Sequence, residues 1–274
     1  DNGKKISVEI PKLNHYYNLI NKFLYPNINQ YKLDLNKKGY LLIKNFFTKE
    51  QIIKIQEFKK DLEKLEEKKG LWMIYYSNDL KSRIENFVNY NKNIKDFLDI
   101  NINPLLNNIL DENMCLFKDK MNWKPGGGEG FKAHQDHPAW SDFNISRFYS
   151  VALFANESTI ENGCLQFASM DNNNKIFNTN GCISLEVEES LNWEYIETNP
   201  SDLLIFDSFI PHRSALNKTS NPRSIFYFTY NKASEGDLYD DYIKNKRKHF
   251  PPRIERTCDI NLDNNKYNLA NPLN

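Results

Sequence analysis

The sequence predicts a mainly β domain, a sandwich or barrel of short strands that is buttressed by N-terminal helices. Between residues 114 and 230 the chain reads as many short strand-like segments separated by Gly, Pro, Asn and Asp, which is typical of sandwiches and barrels. Segments with helical periodicity come before them. With 40% hydrophobic and 14% aromatic residues, the chain of 274 residues can bury a sizeable core.

The N-terminal elements can be taken in order. Residues 1–36 are polar and rich in Asn, Lys and Tyr, and we expect an extended arm with short helical pieces. Residues 39–46 follow as a strand. Thr48 and Gln51 then form a capping box that opens a helix to about Lys69. Its apolar stripe favours packing against a sheet, because two heptads are too few for a coiled coil.

The remaining elements complete the predicted domain. Residues 71–76 resemble a strand, and residues 78–110 are predicted to be helical with a break near Pro104. The short strands follow, and a basic helical segment covers residues 242–248. We therefore expect an arm over residues 1–36, one domain over residues 37–252 and a loosely held tail over residues 253–274.

Charge and cysteine usage exclude several classes of protein. Lys plus Arg and Asp plus Glu both number 36, so no overall field favours nucleic acid or an anionic membrane. No apolar run reaches the roughly 20 residues that a membrane span needs, and no signal-peptide pattern opens the chain. The four scattered cysteines predict reduced thiols and a cytoplasmic or other reducing intracellular compartment. The first residue is Asp1, which leaves open whether the chain is cut from a longer protein.

Residues 131–136 carry the chemistry. In an extended segment alternate side chains share a face, so His134 and Asp136 point the same way and Gln135 points oppositely. His212 is the candidate for a third ligand. Two imidazoles and one carboxylate form the facial triad of non-haem Fe(II) oxygenases, which leaves coordination positions for a bidentate cosubstrate and dioxygen.

Plainer interpretations compete with a metal site. An isolated His-x-Asp is often only a core or surface histidine, and zinc could bind the same ligands. Arg223 argues against both, because it lies eleven residues after His212 and opens a strand. A planar guanidinium suits the far carboxylate of a dicarboxylate, which a hydrolytic zinc site does not need. His137 faces away from the ligands and is given a supporting place.

The chain resembles the phytanoyl-CoA dioxygenase-like family of Fe(II)/2-oxoglutarate oxygenases. The resemblance rests on the His-Gln-Asp at residues 134–136, on the distal His212 with Ser214 and Arg223 behind it, and on residues 161–166. It covers residues 39–252 approximately. It implies a double-stranded β-helix, that is a cupin-like jelly roll, with Fe(II), 2-oxoglutarate as cosubstrate and O₂.

The resemblance also implies residue roles. The iron ligands are His134, Asp136 and His212. The residues expected around 2-oxoglutarate are Lys120, Asn122, Phe131, Ser214 and Arg223, of which Arg223 pairs with the distal carboxylate. The residues expected at the substrate are Lys118, Trp140 and Tyr227, although core packing is a serious rival for Tyr227. Family members that halogenate lack the carboxylate ligand, so the presence of Asp136 favours hydroxylation.

The substrate is expected to be a small, zwitterionic metabolite such as an aminophosphonate. Residues 231–237 and 246–252 resemble a subgroup that includes 2-aminoethylphosphonate hydroxylases. An acyl-CoA or lipid-chain hydroxylase and a non-catalytic jelly-roll binding module remain as alternatives.

Two loops are harder to interpret. The glycine-rich turn at residues 125–130 could hold a phosphate with its N–H groups or could serve as a hairpin. Residues 169–172 depart from the Gly-Ser-His turn usual in the family, which bears on the substrate entrance but not on the metal ligands.

Overall fold

Two antiparallel sheets pack face to face, and helices cover the outer face of the larger one. The computed structural model describes residues 26–169, 175–179, 181–257 and 267. The large sheet has seven strands and the small sheet has four. The predicted mainly β domain with N-terminal helices, a jelly-roll sandwich, is therefore confirmed.

The helices and strands are numbered here in chain order. The helices are α1 (Ile28–Lys38), α2 (Lys49–Lys64), α3 (Lys92–Asn101), α4 (Asn103–Leu110), α5 (Leu185–Ser190) and α6 (Tyr239–His249). The strands are β1 (Tyr40–Ile43), β2 (Met73–Ser77), β3 (Leu80–Glu85), β4 (Met114–Lys124), β5 (Phe131–His134), β6 (Tyr149–Phe154), β7 (Leu165–Ala168), β8 (Asn178–Thr179), β9 (Cys182–Ile183), β10 (Trp193–Ile196), β11 (Leu203–Asp207), β12 (His212–Ser214) and β13 (Arg223–Lys232).

The strand order explains where the site lies. The large sheet runs β1-β11-β6-β13-β4-β3-β2 and the small sheet β10-β7-β12-β5, with β8 and β9 as a separate pair. The long strands β4 and β13 pair antiparallel near the middle of the large sheet. Between the two sheets lies a cavity of about 200 Å³, and side chains of both sheets line it.

Strand β13 shows how one segment serves both the core and the cavity. Its alternate residues Phe226 and Phe228 are buried in the apolar layer under the helices. Residues 223, 225, 227 and 229 point the other way and line the cavity. This follows from the twofold repeat of a strand. Burial of each Phe contributes roughly 1.5–3 kcal/mol, so the outer face holds the sheet rigid behind the cavity.

Helix α2 begins as predicted and ends earlier. Thr48 Oγ1 accepts from Gln51 N, and the Gln51 side chain accepts from Thr48 N, so the capping box is confirmed. Ile55 and Leu62 of the apolar stripe are buried against the sheet layer. The helix ends at Lys64 rather than near Lys69, because Leu65 is already extended.

The prediction of helix over residues 78–110 was wrong in its first part. Residues 80–85 are strand β3, and Asn78 and Asp79 form a hairpin turn with φ of 49° and 59°, as a tight hairpin requires. The strand was missed because Arg83 and Glu85 are buried on its cavity side, which removes the usual apolar alternation. The break near Pro104 is confirmed, because α4 begins there with proline in its first turn.

The glycine-rich turn joins β4 to β5 and packs closely on the loop after β12. A Cβ on Gly130 would lie 2.1 Å from Ser214 O, so only glycine fits there. The N–H groups of Gly127 and Gly128 donate to Asn217 O and Pro125 O. Those two groups are therefore not free to hold a phosphate, and the hairpin interpretation is favoured.

Some of the other predictions concern residues that the structure does not describe. The proposed boundaries at residues 36 and 252 stay predictions; helix α1 runs across the first. The loop at residues 169–172, where the sequence departs from the turn usual in the family, lies mostly outside the described residues, as do residues 1–25. Cys115, Cys164 and Cys182 are free thiols, and Cys258 lies outside. In the part of the chain that the structure describes, no helix is long and apolar enough to cross a membrane.

Asp119 connects three elements at the back of the cavity. It is fully buried on β4. Its carboxylate accepts hydrogen bonds from the N–H groups of Asn86, Phe87 and Val88 and from the Tyr239 hydroxyl. It thereby fixes the end of β3 and the start of α6 to the strand that lines the cavity.

We expect Asp119→Ala to lower the free energy of unfolding by about 3 kcal/mol or more, because buried donors lose a charged acceptor. Tyr239→Phe removes one of the four donors and should lower it by about 1 kcal/mol. Urea unfolding measures both. Equal effects of the two variants would contradict the role given to the carboxylate.

Candidate active site

The small sheet brings the three predicted metal ligands together. His134 ends β5 and His212 begins β12, and the two residues are paired in the antiparallel register. Asp136 follows two residues after His134. The candidate ligand atoms of the three side chains all lie within 4.8 Å of one another. His134 Nε2 is 3.8 Å from Asp136 Oδ1, and His212 Nε2 is 3.8 Å from Asp136 Oδ2.

Backbone carbonyls orient both imidazoles. His134 Nδ1 lies 2.7 Å from Lys132 O, and His212 Nδ1 lies 3.0 Å from Ile210 O. A carbonyl only accepts, so Nδ1 carries the proton and the Nε2 lone pair faces Asp136. Metal-binding histidines are held in this way by their other ring nitrogen.

The electrostatics keep all three ligands in their metal-binding forms. Burial, helped by the nearby His212, lowers the pKa of His134 to about 3. Burial also lowers the pKa of His212. Burial raises the pKa of Asp136, but its interactions with His212, Lys120, His134 and Lys118 outweigh this effect, so the net pKa is lowered. At neutral pH the site therefore offers two neutral imidazoles and one carboxylate.

This donor set fits Fe(II). Two nitrogen ligands and one carboxylate oxygen on one side of a point leave the opposite positions open, and this is the arrangement of non-haem iron oxygenases. Those open positions face the cavity. All eleven residues predicted from the sequence to form the site line this one cavity: Lys118, Lys120, Asn122, Phe131, His134, Asp136, Trp140, His212, Ser214, Arg223 and Tyr227.

One corner of the cavity collects cations around Arg223. Arg223 is 5% exposed, and its Nη2 donates to Gly163 O at 2.9 Å. Its buried Nε has no hydrogen-bond partner among the described residues. Lys124 lies directly across the strand pair from Arg223, and its Nζ donates to Ser214 Oγ at 2.9 Å and to Ala215 O at 2.6 Å. An unsatisfied guanidinium donor beside an ammonium group suits a carboxylate.

The other end of the cavity combines lysines with aromatic rings. Lys118 Nζ lies 5.1 Å from the centre of the Trp140 ring, and Lys120 Nζ lies 4.6 Å from that of Tyr227. These are cation–π distances. Burial lowers the pKa of both lysines. The predicted grouping of Lys118, Trp140 and Tyr227 at the cavity therefore agrees with their positions.

Sequence reasoning missed four basic residues of the cavity, of which Arg213 is paired with Glu188. Lys124 was placed on the correct face of β4, but no role was given to it. Arg83 comes from the strand that was predicted as helix. Lys246 comes from the basic helix α6 and is 1% exposed. Its Nζ lies 3.5 Å from Glu85, which also accepts from Tyr242 Oη at 2.9 Å. Only the pairing of β3 with β4, which sets Arg83 opposite Asn122, could have indicated that Arg83 lines the cavity.

The fold and the site together define a non-haem Fe(II) oxygenase. The chain belongs to the phytanoyl-CoA dioxygenase (PhyH) family, whose model matches residues 35–225. It is accordingly a 2-oxoglutarate-dependent dioxygenase, with Fe(II) as its metal and 2-oxoglutarate as its cosubstrate, and a small-molecule substrate is what this family membership implies.

Two curated relatives resemble most of the chain. A 2-aminoethylphosphonate dioxygenase from uncultured bacterium HF130_AEPn_1 is 35% identical over 253 residues, which are 88% of this chain and 97% of that protein. A methylphosphonate hydroxylase from Gimesia maris is 32% identical over 222 residues, 78% of this chain and 85% of that protein. Both names describe oxidation of a phosphonate.

Solved structures share the fold. The structure of EctD from S. alaskensis with 2-oxoglutarate and 5-hydroxyectoine has a TM-score of 0.66 at 19% identity, and the match covers 75% of this chain and 76% of EctD. The epimerase SnoN from nogalamycin biosynthesis has a TM-score of 0.64 at 14% identity, with 76% and 82% covered. The double-stranded β-helix expected from the sequence is thereby confirmed.

We expect Asp136→Ala to weaken Fe(II) binding by more than about 100-fold, the upper range for loss of outer partners alone, and to abolish succinate formation. His137→Ala is the matched control, because that ring stacks on Phe209 at 4.0 Å and lies outside the ligand set. Iron content after anaerobic loading measures both. Equal iron loss in the two variants would contradict the assigned ligands.

Proposed function

We propose that this enzyme hydroxylates a small organophosphonate, with 2-aminoethylphosphonate as the first candidate. One observation carries the proposal: the cavity is lined by more basic side chains than its cosubstrate needs. Seven basic side chains line it, namely Arg83, Lys118, Lys120, Lys124, Lys246, Arg213 and Arg223. Among the described lining residues, Asp136 is the one carboxylate. The two phosphonate-oxidising relatives support the same substrate class.

The size of the cavity supports a small substrate. Its volume of about 200 Å³ is shared with the cosubstrate. On the side of helix α6 it is lined by Lys246, Trp140 and Tyr267. These features favour a compact anion over an acyl-CoA, whose chain and nucleotide need an extended channel. The three metal ligands are all present, which favours an enzyme over a non-catalytic binding module.

We propose that Arg223, Ser214 and Lys124 hold the distal carboxylate of 2-oxoglutarate, with Asn122 and Phe131 beside it. The free Arg223 Nε and the adjacent Lys124 ammonium support this assignment. Lys120, which was predicted for the same role, has its ammonium over the Tyr227 ring instead. We therefore propose Lys124 in place of Lys120 at the cosubstrate.

The residues of the chain would divide the work as follows. Fe(II) with 2-oxoglutarate and O₂ supplies the oxidation, in which one oxygen atom goes to the substrate and the other to succinate, with loss of CO₂. His134, Asp136 and His212 hold the metal. The cations at one end orient the cosubstrate, and those at the other end orient the substrate. The apolar walls, such as Ile225 and Phe206, keep water from the reacting C–H bond.

A substrate screen tests the proposal. The enzyme loaded with Fe(II) and 2-oxoglutarate is incubated with 2-aminoethylphosphonate, methylphosphonate, amino acids, quaternary amines and acyl-CoAs. We expect a phosphonate to gain one oxygen atom by mass, with succinate released in equal amount, and Asp136→Ala to give neither product. Oxygen gain by acyl-CoAs or amines alone would overturn the proposal.

The binding of 2-oxoglutarate should depend on pH through Lys124. Burial, with the nearby charge of Arg223, lowers the pKa of Lys124 to about 6. Below that pH the ammonium is already charged and attracts the carboxylate. Above it, binding must take up a proton, so affinity should fall between pH 6 and 8 by up to about tenfold per pH unit.

Anaerobic titration of the Fe(II) enzyme with 2-oxoglutarate, followed by visible absorption of the complex, measures this dependence. Lys124→Met should bind more weakly than wild type at pH 6 and should show little change up to pH 8. The pKa values of both histidine ligands are lowered, which moves their titration away from this range. An unchanged slope in the variant would exclude Lys124 as the group responsible.

A further inference from the structure

Two lysines of the cavity, the buried Lys118 and the half-buried Lys120, have no polar partner among the described residues. Lys118 is 6% exposed, and its ammonium touches the rings of Trp140 and Tyr242. Lys120 points into the same cavity over Tyr227. In the described part of the chain neither ammonium group makes a hydrogen bond or an ion pair. A buried charge is normally paired, because its loss of hydration is costly.

The other basic residues around them are already satisfied. Lys124 donates to Ser214 Oγ and Ala215 O. Arg83 Nη1 and Lys246 Nζ lie 3.4 Å and 3.5 Å from the same Glu85 oxygen. Four cations, Arg83, Lys118, Lys120 and Lys246, therefore surround two carboxylates, Glu85 and Asp136. The uncompensated charge falls on Lys118 and Lys120.

Lys118 lies too far from Arg223 to serve the same carboxylate, and Lys120 has its ammonium group over the Tyr227 ring. Lys118, Lys120 and Lys124 share one face of β4. Lys118 is six residues from Lys124, about 20 Å along the strand. A five-carbon dicarboxylate anchored at Arg223 and bound to the metal does not reach Lys118. Both lysines are nevertheless near the metal, because their charges act on Asp136.

We propose that Lys118 and Lys120 form the substrate's anion-binding site, in which two ammonium groups hold the oxygens of one phosphonate and present its carbon to the metal. This inference rests on the proposed function. A phosphonate dianion matches two unpaired cations, and its three oxygens can accept from both at once. The Lys118 ammonium group lies over the rings of Trp140 and Tyr242 and that of Lys120 over the ring of Tyr227, and both side chains line the cavity.

Kinetics with the loaded enzyme test the site. Lys118→Met and Lys120→Met keep the length of the side chain and remove its charge. Each should raise KM for the phosphonate by at least tenfold and leave KM for 2-oxoglutarate within twofold of wild type. Lys124→Met, a matched change on the same strand face, should show the reverse pattern. Lys118→Arg should recover part of the phosphonate affinity.

Two further measurements separate the possible failures. Thermal unfolding should give Lys118→Met a Tm equal to or above that of wild type, because an unpaired buried charge is lost. Anaerobic calorimetry with methylphosphonate and 2-aminoethylphosphonate measures binding without turnover. If the wild-type enzyme oxidises a phosphonate and both Met variants have the wild-type KM for it, the two-lysine site alone is overturned. If the wild-type enzyme neither binds nor oxidises any phosphonate, the proposed function is overturned as well.

Discussion

The pairing of β5 with β12 is the constraint on which the site depends. It sets His134 opposite His212, and residues opposite each other in a sheet share one face. The two rings lie 4.2 Å apart, and the chain beyond β5 adds Asp136 beside them. A shift of one residue in this register would turn one of the two imidazoles away from the cavity. The register is fixed on the other side too, because His212 is also paired with Phe167 of β7.

The large sheet faces these ligands with a row of charges at regular spacing. Alternate residues of β4 point inward, and the antiparallel partner β13 sets Arg223 beside Lys124 and Tyr227 beside Lys120. Each step of two residues is about 7 Å. The sheet therefore holds two cationic groups at fixed positions along the cavity, one at the C-terminal end of β4 and one near its middle. Because sheet strands position side chains more rigidly than loops do, the two anions proposed to bind there would be held apart and in order.

Much of this arrangement could be predicted from the sequence, and the failures have physical causes. The spacing of His134 and Asp136 and the offset from His212 to Arg223 are local patterns, so the ligands could be identified. The choice between Lys120 and Lys124 beside Arg223 depends on the register of β4 with β13, which no local pattern gives. Arg83 and Lys246 were missed because buried charged residues give the sequence the appearance of a solvated surface.

The two cationic groups differ in how firmly they are held. Lys124 is fixed by Ser214 Oγ and by backbone carbonyls, so it meets a carboxylate with little loss of side-chain freedom. Lys118 and Lys120 are held only by contacts with aromatic faces, which restrict the chain but leave the ammonium group free to adjust. Selection at the far end must then come from charge and from the wall at Lys246 and Tyr267 more than from fixed hydrogen-bond geometry. A rigid cosubstrate end beside an adjustable substrate end is what the proposed function requires of an enzyme that accepts a class of compact dianions.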